Sequence, residues 1–214
     1  MKMNLPNKLT IFRVILVPIF IIIGYINIPG ELLEVESKFW IMNLIFIIAS
    51  LTDQLDGYIA RKTNQVTTFG KFLDPIADKI LVLSALVMLV EFGKIPAWIP
   101  AIVLTREFLV SGYRLIAVEK GGKVIAASIW GKIKTVTQMI AIILTFMTPY
   151  AFGQFILLTT DANKAMQSSA LVCAPAWAIA INALATILML ISVVATIFSG
   201  YDYLKGGKNL FKED

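Results

Sequence analysis

The chain alternates between long apolar blocks and short polar segments, and the blocks are too long and too continuous for strands. Six of them have the length that a hydrocarbon core of about 30 Å demands at about 1.5 Å per helical residue. The pattern predicts membrane helices over about Ile11–Ile28, Phe39–Arg61, Asp74–Phe92, Pro96–Val118 and Ile129–Tyr150. A sixth is expected inside the uncharged stretch Ala165–Tyr201. The expected fold class is therefore all-α: a polytopic membrane protein with six transmembrane helices, forming a single domain over residues 1–214 without internal repeats. The opening, Met1 to Arg13 followed by an apolar run, looks like a secretory signal, but no small-residue cleavage site follows it. A retained first helix is the better reading.

Composition agrees with the pattern. Of 214 residues, 58% are hydrophobic and 15% charged, and the mean hydropathy is +0.80. A soluble domain would carry about 25% charged residues. The net charge of +5 is explained by where the cations fall. With both termini on one side, that side carries fifteen Lys and Arg, whereas Lys38, Lys94 and Lys164 alone fall on the other. Such a bias puts both termini in the cytoplasm. The basic excess then faces anionic membrane lipid, and no nucleic-acid partner is expected.

Histidine is absent, and Cys173 is the only cysteine. Acid–base or metal chemistry must therefore fall to carboxylates, Lys, Tyr or water. The predicted second helix ends in Asp53-Gln54-Leu55-Asp56-Gly57-Tyr58-Ile59-Ala60-Arg61, and the third opens near Gly70-Lys71-Phe72-Leu73-Asp74-Pro75-Ile76-Ala77-Asp78. Helical spacing puts positions 53, 56, 57, 60 and 61 on one face and positions 74 and 78 on another. Asp53 is recessed by roughly 12 Å from Arg61 along the helix. Pro75 lacks an N–H and suits the first position of the third helix, with Asp74 as its cap; ideal i, i+4 geometry is then not assured.

Four carboxylates converging in an apolar protein repel one another and are costly to desolvate unless cations join them. With oxygen ligands alone the expected ion is hard, Mg²⁺ or Mn²⁺, and two such ions can clamp a diphosphate. Gly57, Ala60 and Gly70 remove bulk where a nucleotide would approach the backbone, and Arg61 offers phosphate a bidentate fork. The bland alternative, interfacial aspartates paired with Arg61, Lys71 and Lys79, suits one or two acids better than four at this spacing.

Asp53 to Asp78 also matches without departure the D-x2-D-G-x2-A-R-x8-G-x3-D-x3-D signature, and so resembles the CDP-alcohol phosphotransferase family. The resemblance implies a six-helix homodimer with two metals per subunit at the cytoplasmic boundary of a bacterial membrane. It implies metal ligation by Asp53, Asp56 and Asp74, with Asp78 beside the metals as the base on an acceptor hydroxyl. It further implies that Asp56, Gly57, Ala60, Arg61 and Gly70 hold the CDP moiety. The wider chain is similar to the branch of that family whose acceptor is sn-glycerol 3-phosphate and whose donor is CDP-diacylglycerol. The similarity rests on Asn4 to Arg13, Arg106-Glu107, Ser111 to Arg114, and Gly131 to Thr135 followed by Gln138-Met139, and the last third of the chain adds little to it.

Arg106 and Glu107 are expensive inside a membrane helix, either as functional groups or as an ion pair with other helices. Arg106, Arg114 and Lys134 are the candidate site for the acceptor phosphate, while Lys132 points away from Lys134 and suits anchoring. Asn7, Thr10 and Arg13 belong either to the nucleotide site, with Thr10 as its candidate contact, or to interfacial anchoring by a short helix. Trp40, Trp98, Trp130 and Trp177 need only an aromatic-belt role. Other acceptors in the family (serine, inositol phosphate or phosphatidylglycerol) are the alternative within enzymes. A cation transporter is the alternative outside them, but it would place its acids near the midplane rather than at helix ends.

Overall fold

The computed structural model describes residues 5–63, 68–119, 129–154 and 175–206. Within its helices, the side chains at 5–7, 53–63, 68–75, 115, 117–119 and 206 fall outside the described residues. Six helices are present among the described residues: α1 Leu5–Tyr25, α2 Ser37–Thr63, α3 Thr68–Glu91, α4 Trp98–Glu119, α5 Ile129–Met147 and α6 Ala176–Gly206. The helices at Lys8–Tyr25, Ile129–Met147 and Ala176–Lys205 are long and apolar enough to cross a membrane, and the first part of α2, Ser37–Thr52, is a shorter apolar helix. Their exposed faces carry large aliphatic side chains, such as Ile15, Ile19 and Ile22 on α1 and Ile187, Ile191 and Val194 on α6. This is the surface of a membrane protein, where lipid rather than water meets the outer face.

Hydroxyl side chains inside the helices bond back to their own turn. Thr105 Oγ1 donates to the Ala101 carbonyl at 2.8 Å, Ser111 Oγ to Glu107 at 2.7 Å and Thr196 Oγ1 to Ser192 at 2.6 Å. Polar atoms are thereby satisfied without water, as an apolar surrounding requires.

Two compact units divide the chain. One comprises Met1–Lys94 with Thr145–Ala151, the other Ile95–Leu144 with Phe152–Asp214. In the first, α1 packs on both α2 and α3 around Phe20, Phe46, Leu81, Leu86 and Phe146. Gly24 allows the close approach: a Cβ there would run into Met88 Cε and lie 3.3 Å from Met42 Cε. In the second, α4 packs on α6 around Ile99, Val103, Ala185 and Met189.

Several boundaries differ from the sequence expectation. The first helix starts at Leu5 rather than Ile11 and is one continuous helix, so positions 7, 10 and 13 lie on α1 itself rather than on a separate short helix. Thr10 and Arg13 are buried at 1% and 0% exposure; Arg13 Nε donates to the Ala49 carbonyl of α2 at 3.3 Å. The third helix begins at Thr68, not Asp74. Asp74 is therefore not its cap, and position 75 lies on helical backbone. Packing on α1 and α2 carries the helix through Gly70 and Pro75 against their low propensity. The last predicted span resolves to Ala176–Gly206.

A short hairpin was not expected. Glu31–Leu32 pairs antiparallel with Val35–Glu36, and the turn holds Leu33 and Glu34 at φ 54° and 59°. Two positive φ values match the twist of a two-residue hairpin, but Leu-Glu lacks the Asn-Gly signature that would reveal it in sequence. The hairpin feeds α2: Ser37 N–H donates to the Gly30 carbonyl at 3.0 Å, and Trp40 Nε1 to Leu32 at 3.1 Å.

Candidate functional site

The aspartate positions lie in the first unit. α2 carries 53, 56, 57, 60 and 61 near its end, and α3 carries 70, 74 and 78 near its start. Helices joined by four residues and packed on one another run back along each other. Asp56 is seven residues before the end of α2 and Asp74 six after the start of α3; Asp53 and Asp78 are each ten residues from the same connection. The four positions thus fall at two matched levels, about one turn apart. Continuous helix through position 75 also gives Asp74 and Asp78 the regular four-residue spacing that a cap at Asp74 would not assure.

Asp78 itself is half-buried, between buried Ala77 and Leu81. The side chains of Asp53, Asp56, Gly57, Ala60, Arg61, Gly70 and Asp74 lie outside the described residues. Among the described residues no group of three or more His, Cys, Asp or Glu is placed to hold a metal. The donor chemistry is nevertheless that of a hard cation: the chain has no histidine and one cysteine, and the four positions offer carboxylate oxygen.

Thr10 reaches this neighbourhood through α1. The Arg13 contact sets α1 level with Ala49, and α1 and α2, joined through the hairpin, run in opposite directions. Three residues back on α1 and four on along α2 bring Thr10 to the level of Asp53. Thr52 Oγ1 also donates to the Ala49 carbonyl, at 2.7 Å. That carbonyl, one turn before Asp53, is held from two sides.

The second unit holds the cationic candidates together. Arg106 Nη1 and Lys134 Nζ both donate to Glu107 Oε1, at 2.8 and 2.5 Å. Arg106 Nη2 donates to Ser199 Oγ at 2.5 Å, and Arg114 Nη2 to the Tyr203 hydroxyl at 2.7 Å. Both guanidinium groups lie over the Tyr203 ring, at 5.8 and 5.6 Å from its centroid. The three candidate residues are thus one cluster on α4 and α5, built against α6.

Lys134 is buried while Lys132 is exposed, the opposite orientation expected of positions two apart on a helix. Arg106, Lys134 and Arg114 carry three positive charges against one on Glu107, leaving two in excess. Arg106 Nε is buried and has no hydrogen-bond partner among the described residues, a donor left for an anion or water.

Sequence reasoning missed Ser199 and Tyr203. Both are buried polar side chains in the long uncharged stretch and its sequel, four residues apart on α6. That spacing was the available signal, but the apolar run around it hid it.

Comparison with known proteins converges on one family. The family model for CDP-alcohol phosphatidyltransferases matches residues 3–198. The chain is 50% identical over 144 residues to the CDP-diacylglycerol–glycerol-3-phosphate 3-phosphatidyltransferase of Bacillus subtilis (strain 168), covering 65% of this chain and 74% of that one. It is 50% identical over 146 residues to the protein of the same name from Haemophilus influenzae, covering 66% and 75%. With that of Rickettsia bellii the identity is 36% over 210 residues, covering 97% of each chain.

Proposed function

Because this chain belongs to the CDP-alcohol phosphatidyltransferase family, we propose that it transfers the phosphatidyl group of CDP-diacylglycerol to sn-glycerol 3-phosphate. The acceptor's primary hydroxyl oxygen forms the new bond to the lipid-side phosphorus. The bond from that phosphorus to the CMP oxygen breaks, giving phosphatidylglycerophosphate and CMP. Asp78 takes the hydroxyl proton, a role that suits a half-buried carboxylate beside a diphosphate site.

Asp53, Asp56 and Asp74, with Asp78, would hold Mg²⁺ or Mn²⁺, two per subunit, which would neutralise the diphosphate and stabilise the charge on departing CMP. Asp56, Gly57, Ala60, Arg61 and Gly70, with Thr10 on α1, bind and orient the CDP moiety. All six helices cross the cytoplasmic membrane of a bacterium, with both termini and the site on the cytoplasmic side, and the protein works as a homodimer.

The observation that carries the choice of acceptor is the cluster of Arg106, Arg114 and Lys134. Near neutral pH glycerol 3-phosphate is mostly a dianion. The cluster has two positive charges beyond Glu107 and a guanidinium fork on each arginine, which suits phosphate. Serine has a carboxylate but balances it with its own ammonium group, so it matches two excess positive charges less well than a dianion. The names of the relatives support the same acceptor.

The test is CMP release by purified protein with CDP-diacylglycerol and Mg²⁺ across a panel of alcohols. Release is expected with glycerol 3-phosphate and not with serine, inositol phosphate or phosphatidylglycerol. Release with one of those and none with glycerol 3-phosphate overturns the reading.

A further inference from the structure

We propose that Tyr203, assisted by Ser199 one turn earlier on α6, is a positioning residue that draws two arginines of α4 together to grip a single phosphate. The proposal rests on the reading of Arg106 and Arg114 as part of the acceptor's phosphate site.

Arg106 and Arg114 are eight residues apart, so their backbones stand about 12 Å apart along α4. Two guanidinium groups serve one phosphate only if they lean toward each other, and like charges resist that. α6 supplies what overcomes the repulsion. The Tyr203 ring receives both groups, with the Arg106 and Arg114 guanidinium carbons 5.8 and 5.6 Å from its centroid. An aromatic face attracts cations through its quadrupole, more so when partly desolvated.

α6 then fixes each arginine through one nitrogen, and Glu107 holds Arg106 through a second, Nη1. The Tyr203 hydroxyl accepts from Arg114 Nη2 at 2.7 Å and Ser199 Oγ from Arg106 Nη2 at 2.5 Å. Neither contact uses all the donors of a guanidinium, which has five. Gly131 of α5 lies beside the Ser199–Arg106 contact: a Cβ there would make ordinary van der Waals contact with Ser199 Oγ and Arg106 Nη2, at 3.5 and 3.6 Å.

An interfacial tyrosine anchoring α6 to the membrane would look different. Tyr201, two residues earlier, is 59% exposed and fits that role, whereas Tyr203 is 3% exposed and lies against the arginines. Burial locks the ring, so the two arginines are held in place before substrate arrives, which lowers the ordering cost of binding.

The consequence is specific to acceptors that carry phosphate. Tyr203→Phe keeps the ring and removes the hydroxyl, and Ser199→Ala removes the other anchor. Each should raise the KM for glycerol 3-phosphate roughly threefold to tenfold, the range of one ordinary hydrogen bond. The kcat and the KM for CDP-diacylglycerol should stay within error. Inorganic phosphate, used as a competitive inhibitor against glycerol 3-phosphate, should weaken by the same factor. Tyr203→Leu, which also loses the ring, should show the larger shift.

Thermal unfolding in detergent accompanies each variant, because a purely structural role would lower stability and move both KM values together. Unchanged acceptor KM and unchanged phosphate inhibition in Tyr203→Phe and Ser199→Ala, while Arg114→Gln raises the acceptor KM, would overturn the positioning role alone. If Arg114→Gln and Arg106→Gln also leave the acceptor KM unchanged, the phosphate-site reading fails and this proposal falls with it.

Discussion

The first unit places four aspartate positions on two packed helices, at two matched levels. The second places three cations on α4 and α5, two of them sharing one carboxylate, Glu107, and two of them leaning on a tyrosine of α6. On the proposed reading both regions bring like charges together in a chain with few charged residues, and they resolve the repulsion differently. The cationic cluster carries part of its own neutralisation, through Glu107 and the Tyr203 ring, and keeps two charges in excess. For the aspartates, the proposed neutralisation comes from divalent ions. A site balanced from outside should fail completely when its ions go; one balanced from within should lose affinity by degrees.

The largest effect expected is therefore on the acidic side. Asp53→Asn, Asp56→Asn or Asp74→Asn should each lower turnover by roughly a thousandfold or more, in line with losing a principal electrostatic stabiliser. Chelation should silence the wild type, and Mg²⁺ or Mn²⁺ should restore it. Asp78→Asn should keep CDP-diacylglycerol binding and lose roughly a hundred- to ten-thousandfold in transfer, the contribution of a general base. Full CMP release in metal-free buffer would remove the contrast between the two regions.

On the basic side the losses should be graded. Neutralising Arg114 or Lys134 should raise the KM for glycerol 3-phosphate about ten- to a hundredfold, the worth of a hydrogen bond to a charged group. The KM for CDP-diacylglycerol should not follow. Saturation curves for each substrate decide the matter; a matching rise in both would place these residues in general folding rather than in acceptor binding.

The two regions also differ in how far the sequence revealed them. The aspartate positions stand out in the sequence because they are close in the chain and rare in kind: four acids in 26 residues of an apolar protein, with small residues at fixed spacing. The six helices of the described residues were legible for the same reason, since apolar blocks declare themselves. What escaped was set by tertiary packing. α3 starts six residues early because packing on its neighbours outweighs the breaking tendency of Gly70 and Pro75. The turn at Leu33-Glu34 adopts positive φ without the usual residues. Arg106 could be named from its cost in a membrane, and Arg114 and Lys134 from their expected place near the cytoplasmic surface, but their partners Ser199 and Tyr203 lie over 60 residues away in an unpromising apolar run. Ordinary residue types joined only by the fold leave little trace in a single sequence.

Glu107 tests the internal balance of the second region. Glu107→Gln would leave Arg106 and Lys134 without their shared carboxylate, so the folded protein should lose about 1–3 kcal/mol. Because the cluster then carries a third uncompensated charge, glycerol 3-phosphate or inorganic phosphate should raise the unfolding temperature of the variant more than that of the wild type. Equal shifts in both proteins would mean that the anion binds elsewhere.

The smallest effect concerns a cation outside both sites, and it asks whether the fold tolerates a buried charge that has no carboxylate in ion-pair contact among the described residues. α3 ends in a Schellman turn: Gly93 has φ 66°, Lys94 N–H donates to Leu89 and Gly93 N–H to Val90. The turn sends the Lys94 side chain inward, where Nζ donates to the Thr148 carbonyl at 2.5 Å and lies 4.4 Å from the centre of the Phe39 ring. Burial pushes the Lys94 pKa from 10.5 down to about 8, a shift that Glu36 opposes and Lys38 reinforces. Below pH 8 the lysine is protonated in folded and unfolded chains alike, and the cost of burying its charge is fully present. Between about 8 and 10.5 the unfolded chain holds more of the proton, so folding stability should rise with pH through that window and level off above it. Lys94→Met has no such proton. The unfolding temperature of the wild type, measured in detergent from pH 7.5 to 10.5, should therefore climb relative to that of Lys94→Met. A flat difference would mean that Glu36 and the Phe39 ring hold the ammonium charged throughout, which would bring this lysine closer to the self-balanced arginines of α4 than its burial suggests.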